Sequence, residues 1–148
     1  DGWRGLLAQL VRLKRERPDL TVVINGGIVD VDQVRSHLAH CDGAMIGRAA
    51  YHEPWVLHRM ARAVFADGYD AMAREDAILA MRGYVEAHLQ AGEPLKHIIR
   101  HWLGLFHCEP GARGFRRTLS EGAHQPGAGW QLVERALGHL RQSARAAA

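Results

Sequence analysis

Cysteine is scarce in this chain. Cys41 and Cys108 are the only two in 148 residues. They form no disulfide framework, so a reducing, cytoplasmic setting is the default. Long apolar runs are also missing, and none approaches the ~20 residues of a membrane-spanning helix. No signal peptide is visible. Strand-like sequence is sparse as well, limited to two short stretches. What remains fits a soluble globular protein, with 47% hydrophobic and 24% charged residues and a mild net charge of +3. The distribution of that charge says more than its total.

The two strand-like stretches both end in glycine. The first is Leu20–Ile24, closed by Asn25-Gly26-Gly27, and the second is Gly43-Ala44-Met45-Ile46, closed by Gly47-Arg48. An apolar run ending in glycine and followed by a helix is one βα unit, and two in succession build parallel sheets and barrels. The strand ends are where such folds place ligands. Bare N–H groups of Gly26, Gly27 and Gly47 can face an anion there, and Arg48 adds a fixed positive charge. Either turn alone is a weak signal, because glycines close strands everywhere. Their repetition points to phosphate binding.

Two strands cannot bury a parallel sheet on both faces, and a complete eight-stranded barrel takes roughly 250 residues. The expectation is therefore a truncated barrel. A complete small domain with a two-stranded sheet is the alternative. Trp3, Leu6, Leu7, Leu10, Val11 and Leu13 make an apolar stripe on an opening helix, which ends before Pro18. Asp30 and Gln33 have capping-box spacing, ahead of a helix with Val31, Val34 and Leu38 on its apolar face. A short helix with Pro54 in its first turn follows, carrying Trp55, Val56, Met60 and Val64 inward.

Near Asp67-Gly68 the strand signals stop. Residues 1–67 are read as the barrel portion and 68–148 as a helical domain. Its expected helices run from about Arg74 to Gln90, Leu95 to His107, Pro110 to Gly122 and Trp130 to Ala144. The second has an apolar stripe of Ile98, Ile99, Trp102, Leu103 and Phe106, with Lys96, His97, Arg100 and His101 opposite. On the third, Ala112, Phe115 and Leu119 face inward, while Arg113, Arg116, Arg117 and Ser120 share the other face. From Leu95 to Arg117 five basic residues stand against one acid, Glu109. Such a stripe suits a polyanion, and it also suits a solvated helix face.

His97 and His101 have i, i+4 spacing, but Ile98 stands where a zinc protease carries Glu, and no third ligand is evident. The pair reads as a surface feature. Cys108 beside His107 completes no triad, and Cys41 reads as packing.

The segment Ile24-Asn25-Gly26-Gly27-Ile28, with His40-Cys41-Asp42-Gly43-Ala44-Met45-Ile46-Gly47-Arg48-Ala49-Ala50-Tyr51-His52-Glu53-Pro54, resembles the end of the barrel in tRNA-dihydrouridine synthases. The runs from His97 to His107 and from Pro110 to Glu121 are similar to the helical domain of the A subfamily. The resemblance implies the last βα units of a TIM barrel, followed by a C-terminal helical tRNA-binding bundle. It implies an FMN enzyme that reduces a uridine of the tRNA D-loop, at positions 20 and 20a, to 5,6-dihydrouridine with NADPH as reductant. By motif match, Asn25, Gly26, Gly27, Gly47 and Arg48 would hold FMN. Arg113 and Arg116 would contact tRNA, with Arg117, Lys96 and Arg100 extending that face. The family's catalytic cysteine has no counterpart here, so no catalytic residue is assigned and the chain alone is expected to be inactive. No membrane or protein partner is implied. A stand-alone RNA-binding module and a different phosphate-binding barrel enzyme are the competing readings.

Overall fold

The structure is a computed structural model that describes residues 2–65, 69 and 72–147, without the side chains of residues 3, 4 and 6. Two compact units emerge, Asp1–His52 with Val56–Asp70, and Glu53–Trp55 with Ala71–Ala148. The expected boundary near Asp67-Gly68 and the Trp3 and Leu6 side chains lie outside the described residues.

In the first unit the order is α1 (Gly2–Glu16), β1 (Val23–Asn25), α2 (Val31–Leu38), β2 (Gly43–Met45) and α3 (Arg48–His52), with α4 (Trp55–Val64) starting in the second unit and continuing in the first. The two strands pair in parallel, with Val23 opposite Gly43, Ile24 opposite Ala44 and Asn25 opposite Met45. A parallel pair needs a crossover between its strands, and α2 provides it. Asp30 starts that helix by accepting the Gln33 backbone N–H at 2.8 Å. The Gln33 side chain reaches one residue further back than a capping box would, and accepts from the Val29 N–H at 2.9 Å. Ile24, Ile28, Val34, Val56 and Met60 form the buried core. Leu7 and Leu10 of α1 pack against it, as do Val31 and Leu38 of α2.

β1 is shorter and later than the expected Leu20–Ile24 strand. Only Val23–Asn25 lie in register opposite Gly43–Met45; before them the Val22 carbonyl accepts the Asp42 N–H at 2.9 Å without extending the ladder. The two strands leave much of their apolar surface open, with Val23 55% and Met45 48% exposed. The segment around Pro54 is likewise two helices. Pro54 lies just ahead of α4, where its missing N–H costs no helical hydrogen bond.

Among its described residues the second unit is helical, with α5 (Arg74–Ala80), α6 (Arg82–Gln90), α7 (Lys96–Ile99), α8 (Ala112–Gly122) and α9 (Trp130–Ala146). The helix expected over Arg74–Gln90 is interrupted at Met81, whose N–H bonds three residues back to Ile78. Ile78 and Val85 still face inward, with Met81 and Leu89 packed beside them. The helix expected over Leu95–His107 stops at Ile99. Beyond it the chain winds in tighter i→i+3 turns, including Trp102 N–H to Ile99, Leu105 to Trp102 and His107 to Gly104. Such turns preserve a near-helical burial pattern, so Ile98, Ile99, Trp102 and Phe106 of the expected stripe are buried, while Leu103 is only half-buried and Leu105, off the stripe, is buried in addition. They also leave carbonyls without α-helical donors. Arg74 takes up two of these, donating to the Leu105 and His107 carbonyls at 3.0 and 3.3 Å, and pairs with Glu109 at 2.8 Å.

α8 and α9 make the principal helix pair of this unit. Phe115 and Leu119 are wholly buried against Val133, Ala136 and Leu137 of the same core. Phe106 meets Phe115 edge-on, with ring centres 4.8 Å apart. Among the described residues no helix is long and apolar enough to cross a membrane.

Candidate functional site

The loops leaving β1 and β2 converge because the strands are parallel and in register. Their ends, Asn25 and Met45, face one another across the ladder. Asn25, Gly26, Gly27, Gly47 and Arg48 accordingly line one cavity of about 490 Å³, together with Ile28, Val29, Met45, Ala49 and His52. Gly27 sits at φ 63°, a left-handed conformation that a side chain would strain. No carboxylate lines the cavity, and Arg48 is exposed with no acidic partner among the described residues. An anion entering here therefore meets backbone N–H groups, an amide side chain and a guanidinium, which can bind phosphate in a bidentate manner.

Met45 and His52 carry no site signal in the sequence. Met45 occupies a strand position that reads as core, yet its side chain is turned outward beside Gly47. His52 comes to the cavity because α3 is a separate turn of helix, a break that hydrophobic periodicity does not reveal. Cys41 is buried and is not part of the cavity wall. Cys108 is exposed, in the second unit, at φ 62°.

In the second unit, the inward positions of α8 fix what faces out. With Ala112, Phe115 and Leu119 buried, Arg113, Arg116, Arg117 and Ser120 are all exposed along the opposite side. Arg117 has Glu121 at 3.5 Å, whereas Arg113 and Arg116 have no acidic partner among the described residues. Ser120 donates to the Arg116 carbonyl at 2.7 Å. The same serine borders a cavity of about 380 Å³ with Lys96, His97, Ile99, Arg100, Leu103 and His124. Lys96 and Arg100 thus lie near the end of the arginine row, although they are not on one continuous helix as the sequence suggested. Arg100 Nε donates to His101 Nε2 at 3.1 Å.

Comparison with known proteins gives one family. The model for dihydrouridine synthases matches residues 6–141. A tRNA-dihydrouridine(20/20a) synthase of Xanthomonas campestris pv. campestris is 54% identical over 134 residues, which is 90% of this chain and 39% of that protein. A protein of the same name from Xanthomonas axonopodis pv. citri is 56% identical over 126 residues, 85% of this chain and 37% of its own length. In Shewanella oneidensis the corresponding figures are 47% over 126 residues, 85% and 38%. The chain therefore spans less than two fifths of the length of these curated relatives.

Proposed function

The chain belongs to the dihydrouridine synthase family, and on that basis we propose that it is the C-terminal part of an FMN-dependent tRNA-dihydrouridine synthase. In this reading the first unit holds the last βα units of a TIM barrel. Its cavity binds the phosphate end of FMN, and the second unit binds tRNA. The observation that carries the proposal is the meeting of Asn25, Gly26, Gly27, Gly47 and Arg48 around one cavity, with no acid among its described lining residues, at the ends of two parallel strands. In barrels of this kind the last two strand loops commonly hold a ligand phosphate.

The residues present fit such a phosphate. The glycines let it approach the backbone, Asn25 offers an amide donor, and Arg48 supplies a charge-assisted bond. Bound FMN would supply the redox chemistry, passing reducing equivalents from NADPH to a uridine of the D-loop at positions 20 and 20a. The chain's own contribution is positional. The cavity anchors one end of the cofactor, and the row of Arg113, Arg116 and Arg117, extended by Lys96 and Arg100, contacts the RNA backbone. Guanidinium groups suit both phosphates and the faces of unstacked bases. No side chain here is assigned the role of proton donor. The whole enzyme is placed in the cytoplasm, where its tRNA and NADPH are found.

Reconstitution tests the proposal. Within an enzyme of the relatives' length that carries this chain at its C-terminal end, FMN and NADPH should support dihydrouridine formation in unmodified tRNA. The chain alone should support none. Turnover by the chain alone, or turnover by the longer enzyme without flavin, contradicts the reading.

The competing reading of a metabolite-converting barrel enzyme is disfavoured by the exposed arginine row, for which a small substrate has no use. A stand-alone RNA-binding module would bind tRNA but show no preference for flavin, and the same reconstitution separates the two.

A further inference from the structure

We propose that His88, Glu93 and His97 form a binding site for a divalent transition-metal ion of the zinc class. α6 ends at Gln90, and the chain then turns back through Ala91–Pro94 with Gly92 at φ 83°. The Glu93 N–H bonds to the His88 carbonyl at 3.2 Å, and the His97 N–H bonds to that of Pro94 at 3.1 Å. These bonds fix the backbone that carries the three side chains. One ring nitrogen from each histidine and one carboxylate oxygen of Glu93 all fall within 4.8 Å of one another.

The geometry is close to that of a ligated ion. Donors bound tetrahedrally at ~2.0–2.1 Å stand about 3.3 Å apart. His97 Nδ1 and Glu93 Oε2 are already 3.4 Å apart. The remaining separations are within 4.8 Å, a gap that side-chain rotation would close on binding. Two neighbours support the His88 ring. Tyr84 stacks on it with centres 6.2 Å apart, and its Nε2 lies 3.3 Å from the Pro94 carbonyl. Orientation of a histidine ligand by a carbonyl contact is a recurrent feature of metal sites. Two imidazoles and one carboxylate favour zinc, nickel or copper over magnesium or calcium, which prefer all-oxygen shells. Glu93 and His97 are exposed and His88 half-buried, so a fourth position is open to water. The site shares no residue with the cavity at the strand ends. It is not the His97/His101 pair, whose spacing reads as a surface feature: His101 takes no part, and His88 and Glu93 join His97 from the preceding helix and turn.

Zinc titration of the 148-residue chain by calorimetry, with cobalt as a spectroscopic probe, tests the site. One zinc equivalent should bind above the background of the chain's ten histidines. Cobalt should give visible ligand-field bands that zinc abolishes. H88Q, E93Q and H97Q should each lower the zinc affinity at least about tenfold, while H37Q, outside the cluster, should leave it unchanged. All four positions lie at or near the surface, and circular dichroism checks that each variant folds. Absence of zinc-displaceable cobalt bands in the unmodified chain overturns the proposal without any variant. So does an affinity that H88Q and H97Q leave intact, or that H37Q lowers equally. In those cases His97 and Glu93 are a surface side-chain contact only.

Discussion

Asp42 joins the two strands of the first unit to α1. Its carboxylate accepts the Val22 backbone N–H at 2.7 Å and pairs with Lys14 at 2.9 Å. Lys14 in turn donates to the carbonyls of Pro18 and Leu20, at 3.1 and 2.8 Å. The end of α1, the approach to β1 and the start of β2 are thereby held by two side chains.

The Val22 N–H, and next the Lys14 ammonium, hold the Asp42 carboxyl below the usual carboxylate range. A carboxyl with a depressed folded-state value adds stability above its unfolded value of about 3.9, and loses it as pH falls through the folded value. D42N should therefore be less stable than the parent chain in urea at pH 7. The difference should shrink as the pH is taken below about 4. A difference that stays constant from pH 7 to well below pH 4 would show that the charge of Asp42 contributes nothing.

Gly111 precedes α8 at φ 83°, and a Cβ built there would fall 2.5 Å from the His139 carbonyl oxygen of α9. Left-handed backbone strain alone costs about 1–3 kcal/mol, and the contact with the α9 backbone adds to it. G111A should lower the thermal midpoint of the chain markedly. G92A, at the same φ but in open space, should cost only the strain. Equal losses in the two variants would mean that α8 and α9 are not packed this closely.

How much of this was legible in the sequence depended on whether the signal was local. Asp30 and Gln33 announced α2 because a cap is a three-residue event. Ala112, Phe115 and Leu119 located α8 and oriented its arginines, because one buried face determines the opposite one. The Leu95–His107 stretch misled for the same reason. Chained i→i+3 turns bury nearly the same positions as an α-helix, so periodicity could not show that α7 ends at Ile99. What completes that region is Arg74, more than thirty residues away in sequence, donating to Leu105 and His107. The cavity residues Asn25, Gly26, Gly27, Gly47 and Arg48 were legible as turn chemistry. His52 was not: Pro54 marks the start of α4, but nothing in the apolar pattern marks α3 as a separate turn of helix that carries His52 to the cavity. The grouping of His88, Glu93 and His97 was hidden likewise, since it arises from a chain reversal rather than from one helix face.

If the arginine row binds RNA, tRNA affinity should fall steeply with salt, each phosphate contact adding a slope of roughly 0.7–0.9 in log–log terms. R113A combined with R116A removes the two arginines that have no acidic partner among the described residues. The slope should flatten by about 1.5 units. Filter binding of tRNA across a salt series reads this directly. A double variant that keeps both affinity and slope would make the row a solvated helix face.

Whether the loops after β1 and β2 hold a flavin phosphate is read most directly by comparing FMN with riboflavin, which lacks the phosphate. Both are titrated into apo-enzyme of the relatives' length carrying this chain, as wild type and as R48A. Wild type should prefer FMN strongly. R48A should lose one charge-assisted bond, about 1.5–3 kcal/mol, and with it roughly ten- to hundredfold in FMN affinity. Riboflavin affinity should be unchanged. Equal losses for both flavins, or no loss for FMN, would contradict the assignment of this cavity to the phosphate.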